Sequence, residues 1–156
     1  MKQVRDNAVE KNSTTINPSS EPVYTIGIAA KQVNLSVHSL RLYEKEGLIL
    51  SHKTKTGRRI YSDLELEKIR CIRTMINEEG LNFEGIRRLV ALAPCWILRD
   101  CNPNNIKECR AYRDRIRPCW DSEQKCHHPL PSCRDCDVYK KLVKCEDVYK
   151  YIYPEE

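Results

Sequence analysis

Eight of the chain's nine cysteines fall between Cys95 and Cys145, and only Cys71 precedes them. No apolar periodicity in that stretch is long enough to fill a domain core by itself. The C-terminal part therefore needs a staple, since a small module without a large core is held by metal, cluster or disulfide. The 156 residues leave room for one ordinary domain or two small ones with thin cores. The break in composition at Pro94 favours two: residues 23–92 and 93–156, preceded by a tail.

Residues 1–22 are rich in Ser, Thr, Asn and Pro and poor in large apolar side chains, a composition predicting a disordered tail. They contain no apolar signal core, and no stretch approaches the ~18 apolar residues of a membrane span, so a cytoplasmic location is expected. There thiols stay reduced, and a dense cysteine cluster indicates metal binding or redox chemistry. Residues 23–92 carry 12 basic and 8 acidic side chains and residues 93–156 carry 12 and 11, so most of the net charge of +5 lies in the middle segment. That balance permits a polyanionic partner.

Helical spacing begins with Ile26, Ala29, Ala30 and Val33 and stops near Leu35. Asn34 stands where a tight turn wants positive φ. Ser36 is the expected N-cap of a second helix, Val37 to about Glu46, with Gly47 as its C′ residue. Two short apolar ends, Leu48–Leu50 and Ile60–Tyr61, enclose a basic tip with Gly57 and predict a β-hairpin. Ser62 and Glu65 have capping-box spacing at the start of a third helix bearing Leu66, Ile69, Ile72 and Ile76. Asn82 caps a fourth, with Phe83, Ile86, Leu89 and Val90 on its apolar face, until Pro94 ends it. Beyond, helices are expected over Asn105 to about Ile116 and Asp135 to about Ile152.

A ten-residue helix after a short helix and tight turn fits the major groove with its N-terminal residues toward base edges. Ser36, His38, Ser39 and Arg41 lie near the start of that helix, whereas Leu40 is spaced to face the first helix. Lys53, Lys55, Arg58 and Arg59 in the hairpin are suited to neutralising phosphates. The alternative for all of them is a solvated charged surface.

The order Tyr24-Thr25-Ile26-Gly27, Ala30-Lys31, Leu35-Ser36, Leu40 to Ile49 and Gly57-Arg58-Arg59-Ile60-Tyr61 resembles the winged helix-turn-helix of the MerR family of bacterial regulators. Leu66, Ile69, Ile72, Gly80 and Ile86 match its supporting helices. The resemblance implies a mainly α fold, a MerR-like winged helix-turn-helix followed by a small cysteine-rich α module. It also implies DNA contacts from Arg41, Tyr43, Arg59 and Tyr61. Family members bind double-stranded promoter DNA as homodimers and distort it to realign elements read by RNA polymerase, an indirect partner. Leu42 stands where the family usually has a tyrosine and Asn34 where glycine is common, and the long dimerisation helix is not legible after residue 92.

Downstream, only Cys133 and Cys136 form a Cys-x-x-Cys pair. The string Cys95-Trp96, Cys101, Cys109 with Tyr112, Cys119-Trp120, Cys126 and Cys133 to Tyr139 resembles the two-CW module attached to bacterial signalling proteins, which implies a sensory role. Four readings remain open for these seven cysteines. An iron–sulfur cluster comes first, because thiolates bind it and a superoxide-sensing branch of the MerR family carries one, although that branch's tight cysteine run is absent here. Structural zinc, a metal-free thiol–disulfide switch and capture of a soft metal ion are the others. Cys71 is expected as a buried apolar filler, Cys145 as an ordinary helix residue, His127 and His128 as a solvated loop, Trp96 and Trp120 as module core, and the Arg110–Arg117 run as a solvated face.

These features favour a DNA-binding transcription regulator whose hold on its promoter is controlled by a metal- or redox-responsive module. The rival is a redox or protein-interaction module whose helix-turn-helix does not act on DNA. No paired carboxylates, Ser-His arrangement or phosphate loop suggests an enzyme.

Overall fold

The computed structural model describes residues 18–101, 106–122, 126 and 130–154. Strand β1 (Tyr24–Thr25) leads into helix α1 (Ile26–Gln32), which ends at Val33. Asn34 takes φ 52° and turns the chain into α2 (Val37–Lys45), where the Ser36 hydroxyl accepts the Ser39 N–H at 3.0 Å. The far end of α2 closes as a Schellman motif. Gly47 at φ 70° donates to the Glu44 carbonyl, and Leu48 N–H to that of Tyr43, both at 3.0 Å.

Strands β2 (His52–Lys53) and β3 (Arg59–Tyr61) form the hairpin, and β1 pairs antiparallel with the other side of β3. The register sets Tyr24 opposite Tyr61 and His52 opposite Ile60. Helix α3 (Asp63–Asn77) opens with the expected capping box, and α4 (Phe83–Ala91) with Asn82 accepting from Gly85 N–H at 2.8 Å. The winged helix-turn-helix elements expected from local patterning are present with one shift: the first hairpin strand is His52–Lys53 and not Leu48–Leu50, where Leu48 and Ile49 are buried in the core ahead of the hairpin.

The C-terminal part is made of short pieces: α5 (Cys95–Leu98), α6 (Arg110–Asp114), single 3₁₀ turns at Cys119–Asp121 and Cys133–Asp135, α7 (Asp137–Lys141) and α8 (Cys145–Ile152). Two expectations change here. The helix expected to about Ile116 stops at Asp114 because Arg115 is left-handed at φ 46°, while its expected start at Asn105 lies outside the described residues. The single helix expected over Asp135–Ile152 is broken between Lys141 and Cys145. The break drives Leu142 and Val143 inward, where both are 2% exposed, and leaves Lys144 extended as the N-cap of α8.

Those inward side chains do not make a separate core. Leu98, Trp120, Val138, Tyr139, Leu142, Val143 and Val148 join the same buried cluster as Leu48, Ile49, Ile69, Ile72, Met75 and Ile86. Each such apolar side chain contributes about 1.5–3 kcal/mol when fully buried. The winged helix thus supplies the apolar surface that the cysteine-rich segment lacks. Cys71 is buried on α3 as expected, but it is joined to Cys145 by a disulfide, so Cys145 is no ordinary helix residue. Among the described residues no helix is long and apolar enough to cross a membrane.

Candidate nucleic-acid interface and thiol cavity

The Ser36 cap sets the N-terminus of α2 at the surface, and Ser36, His38 and Arg41 are exposed there, with Ser39 half-buried. Leu40, on the opposite face, is fully buried, as expected for its packing against α1. At the hairpin, Lys53, Lys55 and Arg58 are exposed, and the tip closes through Thr54 and Gly57, the latter at φ 78°. Arg41, Lys53, Lys55 and Arg58 form no ion pair within the described residues. These cations therefore retain their full charge for an external anion.

The helix and hairpin are braced against each other. Glu44 of α2 accepts Arg59 Nε at 2.6 Å through one oxygen and the Ser51 hydroxyl at 2.9 Å through the other. Arg59 is thus half-buried and partly committed to this brace instead of standing free toward DNA. Its guanidinium is held above its usual range by that hydrogen bond. At the other end of α2, Arg87 donates to the Glu46 carbonyl at 3.2 Å and also pairs with the Glu46 and Glu84 carboxylates, placing a cation on the negative helix end. Arg73 Nη1 donates to the Val33 carbonyl at 2.6 Å and fixes the turn between the two helices.

Two residues expected at the DNA surface are interior. Tyr43 is 5% exposed and meets the Phe83 ring edge-on, with centroids 5.6 Å apart. Tyr61 is fully buried, pushed up to about 12 by burial, and its hydroxyl has no hydrogen-bond partner among the described residues. Both lie on the inner faces of their elements, so their aromatic bodies position the helix and hairpin from within. An apolar-inward spacing alone does not distinguish a tyrosine that packs from one that reaches outward.

The thiols gather in the C-terminal part of the chain. Cys119, Cys126, Cys133 and Cys136 line one cavity of about 420 Å³, together with Trp120 and Tyr139. Cys95 lies against Cys119, and their shared hydrogen bond brings the Cys95 thiol down to about 7 while that of Cys119 is driven up. Burial, followed by the nearby thiols Cys95, Cys126, Cys109 and Cys136, pushes Cys101 up to about 11. Burial and then Cys126 and Cys136 likewise raise Cys133. All seven cysteines singled out by spacing are therefore electrostatic neighbours. Among the described residues, no three Cys, His, Asp or Glu side chains converge on a single ion position. His127 and His128 lie outside the described residues.

Sequence spacing carries no sign of what joins the cavity to the reading head. Trp120 Nε1 donates to the Gly47 carbonyl at 2.9 Å, and the Tyr139 hydroxyl accepts the Leu50 N–H at 2.9 Å. These two bonds bracket the short segment that joins α2 to the hairpin. Gly47 is needed there twice over, because its φ is left-handed and a Cβ would fall onto the Asp121 carboxylate. Beneath them Lys68, 4% exposed, sits between the ring faces of Trp120 and Tyr139, at 4.3 and 4.4 Å, and donates to the Leu142 carbonyl at 2.7 Å. Arg134, inside the Cys-x-x-Cys turn, pairs with the fully buried Glu65 at 3.0 Å. Trp120 is buried as expected, whereas Trp96 is half-buried against Tyr112 and Arg115.

Burial brings the Lys68 ammonium down from 10.5 to about 7, opposed by the Glu65 charge. The unfolded chain keeps this proton to about 10.5 and the folded one releases it near 7, so stability from this group rises with pH across that window. Lys68→Met removes that contribution. In urea unfolding at pH 6–9 under reducing conditions, the stability of the wild type relative to the variant should increase with pH. A difference that stays constant rejects the assignment.

Residues 24–92 match the family model described as MerR HTH family regulatory protein. The chain is 35% identical over 71 residues to the putative heat shock protein HspR of Streptomyces coelicolor, covering 46% of this chain and 47% of that protein. It is 32% identical over 73 residues to the HTH-type transcriptional regulator GlnR of Bacillus anthracis, covering 47% and 56%. An uncharacterized HTH-type transcriptional regulator of Haemophilus influenzae is 31% identical over 78 residues, covering 49% and 55%. The chain thus spans about half the length of the curated relatives it matches, and the family match ends before Cys95. The braced helix, turn, helix and hairpin of residues 24–92 are thus the part of the chain that is similar to MerR HTH family regulatory proteins.

Proposed function

We propose that this protein is a DNA-binding transcriptional regulator of the MerR type, whose grip on promoter DNA is controlled by its cysteine-rich module. The observation that carries the DNA-binding part is the joint exposure of the α2 N-terminus and the hairpin tip, with Arg41, Lys53, Lys55 and Arg58 unpaired among the described residues and the two elements braced by Glu44. Ser36, His38, Ser39 and Arg41 face base edges in the major groove. Lys53, Lys55 and Arg58 lie along phosphates, and Arg59 contributes what the Glu44 brace leaves free. Tyr43 and Tyr61 act as packing residues behind that surface. The protein works in the cytoplasm as a homodimer on near-palindromic promoter DNA, affects RNA polymerase only through the DNA, and has no catalytic role of its own.

The control element is the thiol cavity. Its four lining cysteines do not converge on a single ion position, whereas a zinc ion draws four sulfurs to about 2.3 Å from one point. An iron–sulfur cluster suits that spread better than mononuclear zinc, with Cys119, Cys126, Cys133 and Cys136 as ligands and Cys95, Cys101 and Cys109 close by. Such a cluster supplies one-electron chemistry and a negative charge that depends on redox state. The residues themselves exclude solvent with Trp120 and Tyr139 and transmit changes through their bonds to Gly47 and Leu50. Anaerobic purification followed by visible absorption, iron, zinc and acid-labile sulfide determination decides between cluster, zinc and neither.

The DNA part is tested by selecting a bound duplex from a random pool and following affinity against salt. Removing Lys53, Lys55 and Arg58 together should flatten the log–log salt dependence by about 2.7 per protomer, at ~0.9 for each phosphate no longer neutralised. Arg41→Ala should cost about 1–3 kcal/mol on the selected sequence and relax discrimination at one base position. Binding that ignores salt, or no selectable duplex, would instead favour a helix-turn-helix that serves as a protein-binding platform.

A further inference from the structure

The Cys71–Cys145 bond is distinct from the thiol cavity. It joins α3 of the winged helix to the first residue of α8, across a sequence separation of 74 and a Cα–Cα distance of 5.2 Å. Cys71 is 8% exposed, whereas Cys145 is half-buried and is the more accessible sulfur to an external reagent. The bond flanks the apolar seat formed by Ile72, Met75, Leu142, Val143 and Val148, through which the C-terminal segment rests on α3. Among the described residues, the other polar ties of the C-terminal segment to residues 24–92 include single hydrogen bonds at Gly47, Leu50, Lys68 and Glu79 and the ion pair at Glu65. A covalent link at the seat's far edge is therefore placed to decide how firmly the segment is held.

We infer that Cys71 and Cys145 form a reversible redox modification site, reduced as two thiols and closed by low-molecular-weight disulfides, which locks the C-terminal segment onto the DNA-binding domain. In the first step the Cys145 thiolate attacks one sulfur of the small disulfide and expels one small thiolate, leaving a mixed disulfide on Cys145. The Cys71 thiolate then attacks the Cys145 sulfur and expels the second. Two protein thiols are oxidised, one small disulfide is reduced to two thiols, and the two protein protons pass to the departing thiolates. This chemistry is independent of the cavity's metal content. Its effect on promoter binding rests on the regulator reading above.

The full-length protein is equilibrated without oxygen across a range of reduced and oxidised glutathione, quenched by alkylation and mapped by peptide mass spectrometry. The expected result is one two-electron transition in which the Cys71–Cys145 peptide pair replaces two alkylated peptides. Cys71→Ser should accumulate the glutathione adduct at Cys145. Hydrogen exchange over residues 137–152 should slow as the linked fraction grows. Three results would each overturn the proposal: a linked pair that persists in the most reducing buffer, Cys145 paired instead with a cavity cysteine, or exchange that does not respond to linkage. Because the readouts are chemical, failure to bind DNA leaves this inference standing and its own failure leaves the DNA reading untouched.

Discussion

Glu65→Ala should destabilise the folded protein by about 3–5 kcal/mol, a large share of the total of a domain this size. The carboxylate is fully buried and satisfies three donors: Ser62 N–H at 2.9 Å, the Ser62 hydroxyl at 2.5 Å and Arg134 Nη2 at 3.0 Å. Without it the start of α3 loses its cap. More seriously, Arg134 is left 7% exposed with no counter-ion, and its Nε and Nη1 already have no partner among the described residues. Lys68 also loses the anion that supports its charge. Glu65→Gln keeps the cap bond and should cost less. In Glu65→Ala/Arg134→Met the stranded charge is gone, so the double variant should be more stable than the two single losses added together. Denaturant unfolding followed by tryptophan fluorescence measures the wild type, Glu65→Gln, the two single losses Glu65→Ala and Arg134→Met, and the double variant. Strict additivity would mean that the two groups are not a functional pair.

That pair also marks the boundary between what local sequence carries and what it does not. Ser36, Gly47, the Ser62 box and Asn82 are read directly from sequence because caps and turns are made within a few residues. Each sits where expected, and Asn34 takes its positive φ as a turn demands. The exposed cations of α2 and the hairpin are legible for the same reason. The apolar spacing of α3 shows which face is inward but not what lies against it. Lys68, on that face, is invisible as a site in the sequence because its partners Trp120, Tyr139 and Leu142 come from the other end of the chain. Arg134 and Glu65 are 69 residues apart, and Cys71 and Cys145 are 74 apart. A short cysteine-rich segment with no periodic core looks self-contained in sequence, and its use of another module's apolar surface leaves no periodic trace. The break between α7 and α8 has the same origin, since the gain from seating Leu142 and Val143 in the shared core exceeds the local preference for continuous helix.

Trp120 hydrogen-bonds one half of the molecule to the other, and its replacement separates stability from the control proposed above. Trp120→Ala should cost about 3–5 kcal/mol, since it empties a buried site and removes a wall of the Lys68 cage. Its edge-on packing against Tyr139, at 5.1 Å, disappears as well. Trp120→Phe is the informative change: it keeps an aromatic body and gives up the Nε1 bond to the Gly47 carbonyl, at about 1 kcal/mol. Cys119, next in sequence, lines the cavity, so the indole is one residue from the proposed control site and one hydrogen bond from the end of the recognition helix. If the module acts on DNA through this bridge, the affinity ratio between its oxidised and reduced forms should fall toward one in Trp120→Phe. Affinity in the weaker-binding state should change little, because none of the surface cations has moved. Parallel binding titrations of wild type and variant in both redox states make the measurement. An unchanged ratio would reassign the coupling to another bridge, first the bond from Leu50 N–H to the Tyr139 hydroxyl, for which Tyr139→Phe is the corresponding test.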